Sequence, residues 1–357
     1  MRLLVFVTLL FAAAAPAAEF RVGTWNVEWF FDHDSSDDDS EIGHQFAAPN
    51  EIEYRARVKG VASGIAEMNP DVMALQEIEN KKVVQDIADE LLATHGLSYN
   101  VAFIQGLDTH TGQDVAFLVK EGRDFEARRF RFTFSGDSAF RNLSKHLALT
   151  TTVEGESVTI VTVHLVTNVQ NRLRQAKTLH AWITELAAGN LIVLGDFNTH
   201  LDPASTPATS EMGIIAGLHT PTPIDDLIDV HRRLPANQRA THVSNSALDR
   251  VLLSQALMDS AGLRFVSITR RRDLAIRGTE DRGRGVDYHL DESEQDVSDH
   301  FPLLAVFNTG GGAAPMERVA PNASQTNILS RIRTLQATLT QMQEELEKLK
   351  QEIEGQE

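Results

Sequence analysis

Six short apolar segments between residues 20 and 307 each open or close on Asn, Asp, Glu or His. Phe20–Val27 ends in Gly23-Thr24-Trp25-Asn26-Val27-Glu28. Asp71-Val72-Met73-Ala74-Leu75-Gln76-Glu77 empties into an acid, and Thr162-Val163-His164 closes a third run. Leu191–Leu194 leads into Gly195-Asp196-Phe197-Asn198. Asp249 and Ser298-Asp299-His300 open the last two. A carboxylate at the end of a buried strand is costly unless a cation or hydrogen bonds meet it. These junctions are therefore candidate site positions as well as strand ends.

The intervening segments set the fold class. Val58, Val61, Ile65 and Met68 recur at helical spacing, which predicts a helix over 52–68, stopped by Asn69-Pro70. Further helices are expected over 81–93 and from Val169 to Leu186. Strands are expected at 20–27, 71–75, 115–119, 147–153, 158–163, 191–194, 251–253 and 303–307. No helix separates the strands between 115 and 163. That predicts an α/β protein with a pair of mixed sheets, not a doubly wound parallel sheet.

Composition narrows the chemistry. The 357 residues include no cysteine, so disulfides, zinc–thiolate sites and thiol nucleophiles are excluded. A net charge of −17 argues against a protein that coats nucleic acid by charge alone. There is no Gly-rich phosphate loop and no G-x-S-x-G elbow. What remains is carboxylates, carboxamides and two histidines. Such oxygen-rich ligation suits Mg²⁺, with Mn²⁺ or Ca²⁺ as alternatives, over Zn²⁺. Cation-assisted attack of water on a phosphoester is the chemistry this set serves best.

The ordered string TWN, LQE, HL, GDFN, LDR, SDH resembles the endonuclease/exonuclease/phosphatase superfamily from about Phe20 to Phe307. The resemblance implies a four-layer α/β sandwich of two packed mixed β-sheets covered by helices. It implies metal ligation by Glu77 and Asn26, with Asp299 beside the metal. Asp196 and Asn198 would orient or activate water, and Asp249 would hold His300 as general base or phosphate contact. His164 would bind the phosphate, with Asp114 orienting it. Arg141 and Lys145 compete for the basic position that contacts substrate phosphate.

Two charge clusters bear on the substrate. Asp32, Asp34, Asp37, Asp38, Asp39 and Glu41 lack the spacing of an EF-hand and are expected to form a solvated loop. Arg264, Arg270, Arg271, Arg272, Arg277, Arg282 and Arg284 either track a polyanion or pair with the acids at 287–296. Nucleic acid is the expected substrate. A phosphatase or phospholipase C-type hydrolase on inositol phosphates or phospholipid headgroups is the alternative, and a catalytically silent oligomeric binding module is the second.

The two ends carry separate signals. Arg2, the apolar run Leu3–Ala15 and Ala15-Pro16-Ala17 read as a secretory signal peptide over 1–17, which implies a secreted or periplasmic protein with no further membrane span. The catalytic domain is expected over 19–308, followed by a Gly/Ala-rich linker over 309–326. Ile332, Leu339, Leu346 and Ile353 at a, with Ile328, Leu335, Met342 and Leu349 at d, form a heptad seam. That predicts a C-terminal coiled-coil helix over 327–354 and a homo-oligomer.

Overall fold

The computed structural model describes residues 18–309, except 35, 37–39, 131–142, 185, 188, 222, 260–261, 278–290 and 292–293. The expected leader, the expected coiled coil, Arg141 and all but the first residue of the expected linker lie outside the described residues.

In chain order, β1 (Glu19–Phe30) leads to α1 (Glu51–Met68), β2 (Val72–Ile78), α2 (Lys81–His95) and β3 (Tyr99–Phe103). Next come β4 (Asp114–Lys120), β5 (Phe125–Arg128), β6 (His146–Val153), β7 (Glu156–His164), α3 (Val169–Ile183) and β8 (Asn190–Asp196). The chain continues through α4 (Glu211–Ile215), β9 (Ile228–Asp229), β10 (Asp249–Leu253), β11 (Leu263–Arg270), α5 (Arg272–Ala275) and β12 (Leu303–Thr309). The first sheet has the order β11-β12-β1-β2-β4-β3 and the second β5-β6-β7-β8-β10-β9. Both are mixed, as the helix-free stretch 115–163 predicts.

Asn caps fix the helix boundaries. Asn50 accepts from the backbone N–H of Ile52 and Glu53, and Asn80 from Val83. Asn69, left-handed at φ +45°, ends α1 just before Pro70.

Three apolar layers hold the stack together. Phe20, Val72, Phe117 and Phe307 of the first sheet meet Leu149, Ile160, Ile192 and Val251 of the second. Val58, Ile65 and Ile87 of α1 and α2 cover the first sheet's other face, against Met73, Leu75 and Leu118. Leu179, Trp182 and Ile183 of α3 cover the second sheet, against Val161 and Val193. The four-layer α/β sandwich follows from these faces. One polar thread crosses the middle layer: Gln76 accepts from Thr24 Oγ1 at 3.3 Å and donates to Thr162 Oγ1 at 2.9 Å. It ties the sheets together beneath the strand ends.

The connectivity places those ends. Each sheet has one parallel pair, β1/β2 joined through α1 and β7/β8 joined through α3. Asn26, Glu77, His164 and Asp196 are at the C-terminal ends of these four strands. β10 runs antiparallel to β8 and starts with Asp249 opposite Asp196. β12 runs antiparallel to β1, so Asp299-His300 just before it lies beside the end of β1.

Some readings change. β11 occupies part of the arginine cluster: its apolar Leu263, Phe265 and Ile268 face the core, so strand pairing accounts for that stretch. β12 extends to Thr309, one residue into the expected linker. α3 ends at Ile183, short of Leu186. Asp32 is not solvated: it is buried and ion-paired to Lys82 at 3.2 Å. Asp34 and Glu41 are exposed as expected.

Candidate active site

The site begins with a backbone contortion at the end of β1. Glu28 and Trp29 have φ values of +50° and +39°, a left-handed pair that non-glycine residues rarely adopt. Arg57 of α1 holds it in place. Its guanidinium donates to the carbonyls of Val27 at 3.0 Å, Glu28 at 2.6 Å and Trp29 at 3.0 Å, with Phe30 stacked beneath. The kink turns the Trp29 N–H onto Glu77 Oε2 at 2.7 Å and the Glu28 carboxylate onto the Asp299 N–H at 2.9 Å. Glu77 is itself left-handed at φ +62°.

Two further contacts lock the Ser298-Asp299-His300 turn against β1. Ser298 Oγ donates to the Asn26 carbonyl at 2.7 Å, and Trp25 Nε1 donates to the His300 carbonyl at 2.9 Å. On β8, Gly195 has φ +126°, and a Cβ there would come within 2.1 Å of the Val163 carbonyl. Only glycine lets β8 approach β7 this closely, and that approach sets Asp196 beside His164.

The side chains converge. Asn26 Nδ2 donates to Glu77 Oε1 and to Asp196 Oδ2, both at 3.0 Å, while its oxygen accepts from the Glu28 N–H. That orientation turns the donor end of the amide, not its oxygen, toward the acids. His164 Nε2 lies 3.7 Å from Glu77 Oε1 and 3.5 Å from Asp196 Oδ2. Asp196 Oδ1 accepts from the Asn198 N–H at 2.7 Å, and Asn198 Nδ2 reaches the Leu165 carbonyl at 2.7 Å. Asp249 Oδ2 meets His300 Nδ1 at 2.8 Å, and His300 Nε2 faces Asp196 and Asp299 at 3.9 and 3.8 Å.

Asp114 and Lys145 stand one step away. Asp114 accepts from Gln105, Gly106 and Arg129, while His164 Nδ1 is buried without a hydrogen-bond partner. The proposed Asp114–His164 contact is therefore not made; Asp114 anchors the 105–106 loop to Arg129. Lys145 is buried and engaged with Asp108, Thr111 and Gln113. Gln113 in turn donates to Glu77 Oε2 at 2.8 Å, so Lys145 supports Glu77 through Gln113.

Sequence reasoning missed four residues here: Glu28, Arg57, Gln113 and His242. Glu28 lies inside the first quoted motif, two residues after Asn26, and Gln113 directly precedes Asp114. Arg57 and His242 carry no local signal. His242 Nε2 is 3.0 Å from Asp299 Oδ2, and its ring packs edge-on against His300.

The electrostatics call for a cation. Burial, then the Asp299 charge, pushes Glu28 up to about 8. Burial, with Asp249 and Glu77 nearby, pushes Asp196 up to about 7 against the opposing pull of His300. Burial disfavours a charged His300, but Asp249, then Asp196 and Asp299, outweigh it and raise the imidazole well above its ordinary range. His164 moves the other way, because burial, Lys145 and His300 all disfavour its charge. Ligand atoms of Glu77, His164 and Asp196 lie within 4.8 Å of one another, as do those of Asp299, His300 and His242. Asp299 Oδ1 and Asp249 Oδ1 are buried without partners. Crowded carboxylates with unmet oxygens fit a hard divalent cation. A 290 Å³ cavity lined by Met212, Ile228 and Leu252 contains none of these residues.

Comparison with known proteins agrees with this geometry. The endonuclease/exonuclease/phosphatase family matches over residues 23–300. D. rerio TDP2 in complex with a single-strand DNA product has a similar structure, at 20% identity and a TM-score of 0.51, covering 82% of this chain and 100% of that one. The human Nocturnin catalytic domain with bound sulfate matches at 19% identity and a TM-score of 0.50, over 82% and 95% of the two chains. A family protein from Bacteroides thetaiotaomicron matches at 13% identity and 0.51, over 83% and 100%. At these identities the likeness shows the fold alone. No curated protein matches the sequence. The family match, spanning every motif from Gly23 to His300, shows that this chain belongs to the endonuclease/exonuclease/phosphatase family and is a divalent-metal-dependent phosphoesterase.

Proposed function

We propose that the enzyme is a secreted or periplasmic nuclease that hydrolyses nucleic-acid phosphodiester bonds by attack of water. The observation that carries this reading is two adjoining ligand clusters, Glu77 with His164 and Asp196, and Asp299 with His300 and His242, joined where His300 Nε2, held by Asp249, lies 3.9 Å from Asp196 Oδ2. Glu77 and Asp299 would hold Mg²⁺, and Asn26, whose amide N–H faces Glu77 Oε1 and Asp196 Oδ2, would orient those carboxylates and would not be a ligand. When bound, the cation would neutralise charge on the phosphoryl oxygens.

The chain's own groups divide the remaining work. Asp196, held by the Asn198 N–H, takes the proton of the attacking water. His300, charged through Asp249, donates to a phosphoryl oxygen and stabilises its developing charge. His164, with Nε2 3.5 Å from Asp196 Oδ2, binds the same phosphate. Lys145 and Gln113 keep Glu77 in position.

The DNA product bound by the D. rerio TDP2 structure supports nucleic acid as substrate. The leader sequence at 1–17 supports export, and the heptads at 327–354 support self-association. Of the arginine cluster, Arg264 pairs with Asn308 and Arg271 with Glu67 and Asp273, which supports a structural role for those two.

The test is a release assay over single-stranded DNA, RNA, plasmid, inositol phosphates and sphingomyelin. Cleavage of DNA or RNA is expected. Turnover of only inositol phosphate or sphingomyelin would replace this reading with the phosphatase or phospholipase C one. Removal of residues 316–357 is expected to convert an oligomer to a monomer in light scattering.

A further inference from the structure

His242 lies outside every motif, yet the backbone places it against Asp299. A bridge pairs His242 with His300: the Val243 N–H donates to the Asp299 carbonyl at 3.0 Å, and the Phe301 N–H donates to the Thr241 carbonyl at 2.7 Å. The side chain then meets two partners. Nε2 is 3.0 Å from Asp299 Oδ2. Nδ1 accepts the backbone N–H of Ser244 at 2.9 Å, with Ser244 Oγ at 2.7 Å.

The Ser244 contact decides the tautomer. A backbone N–H only donates, so Nδ1 has to present its lone pair. The proton of the neutral ring is then on Nε2, aimed at Asp299 Oδ2. A ring that ligated a metal through Nε2 would carry its proton on Nδ1, directly against the Ser244 N–H. His242 is thus a donor to Asp299 and is unsuited to ligation, although its Nε2 lies within ligand distance of Asp299 and His300.

Asp299 is held at every atom but one. Glu28 accepts from its N–H, Val243 donates to its carbonyl, and His242 takes Oδ2. Oδ1 alone is buried and unpartnered, 3.8 Å from His300 Nε2. We infer that His242 is a positioning residue: locked by Ser244 as the Nε2–H tautomer, it occupies Asp299 Oδ2 and so leaves Oδ1 as the oxygen that meets the divalent cation. This rests on the proposed metal role of Asp299. It extends that role by naming the ligating oxygen and excluding His242 from the ligand set. Groups that orient a ligating carboxylate typically change metal affinity by about 10–100-fold when lost.

The experiment is calorimetric titration of the full chain with MgCl₂ and ZnCl₂, for wild type, His242→Gln and His242→Phe. Glutamine keeps an amide donor where Nε2–H stood; phenylalanine keeps the ring packing and loses the donor. His242→Phe is expected to weaken Mg²⁺ binding about 10–100-fold. His242→Gln is expected to restore it, with the wild-type preference between Mg²⁺ and Zn²⁺. Equal losses in both variants would overturn the inference, because they would mean the ring nitrogen itself is a ligand. Wild-type affinity in His242→Phe would also overturn it. A wild type that binds no divalent cation would overturn the metal reading of Asp299 and this role with it. If His242→Phe does not fold, nitrogen-15 NMR of the wild-type imidazole decides: a proton on Nε2 supports the role, and a proton on Nδ1 refutes it.

Discussion

Replacing Arg57 with Met tests how the site is built. The left-handed pair Glu28–Trp29 stores strain of about 1–3 kcal/mol per residue. Three charge-assisted hydrogen bonds from Arg57 hold it, each contributing about 1.5–3 kcal/mol. The clamp therefore outweighs the strain, and its loss reverses the balance while leaving three carbonyls without their donor. Met keeps the stem and the contact with Phe30 but supplies no donor. Each buried carbonyl left without its donor costs about 1–3 kcal/mol. The kink should then relax, withdrawing the Trp29 N–H from Glu77 and the Glu28 carboxylate from Asp299. The assays are urea unfolding and kcat/KM on an oligonucleotide at saturating Mg²⁺, under conditions where the variant is folded. Stability should fall by about 3 kcal/mol or more, with kcat/KM down at least tenfold in the folded fraction. A loss below about 1 kcal/mol with unchanged kcat/KM would show that Arg57 does not maintain the kink.

Three other outcomes follow from the same geometry. Asp249→Asn should lower kcat by about 10²–10⁴-fold with the circular dichroism spectrum retained, because His300 loses the carboxylate that charges and orients it; near-wild-type turnover would refute that role. Gly195→Ala should destabilise by more than about 3 kcal/mol in thermal melts, since its Cβ meets the Val163 carbonyl in a backbone conformation alanine resists. Burial, then Arg129, lowers His146 to about 4, below its ordinary 6.5. Below pH 6.5 the unfolded chain takes up a proton that the folded chain refuses, so this stability is fully present above 6.5 and is lost as pH falls toward 4, by about 3 kcal/mol. His146→Gln should flatten that decline in urea midpoints between pH 7 and 4.5, and an identical decline would refute it.

The strand-end motifs were legible because each terminates an apolar run, and a polar residue there has few cheap fates. Asn26, Glu77, His164, Asp196, Asp249 and His300 all converge in the structure. The supporting residues were not legible, because long-range pairing creates their roles. Arg57 reads as one charged position on an amphipathic helix; only the crossover from β1 to α1 brings it under three carbonyls. His242 depends on a bridge to residue 300. Lys145 reads as a candidate phosphate contact, but burial beside Asp108 and Gln113 commits it to internal partners. The mixed-sheet architecture was readable from the missing helix between 115 and 163. The short strands β3, β5 and β9 were not, since they are partly exposed strands at the sheet edges and carry no continuous apolar run. β11 was masked by Arg264 and Arg270 at its two ends and by the register shift between Phe265 and Ser267, which breaks its alternation.

The most direct measurement is hydrolysis of a single-stranded oligonucleotide by wild type and by Glu77→Ala, in Mg²⁺, in EDTA, and after Mg²⁺ is restored. Wild type should cleave, stop in EDTA and recover with Mg²⁺, while Glu77→Ala with an unchanged fold stays inactive throughout. Cleavage that persists in EDTA, or in Glu77→Ala, would contradict a cation-assisted site built on Glu77.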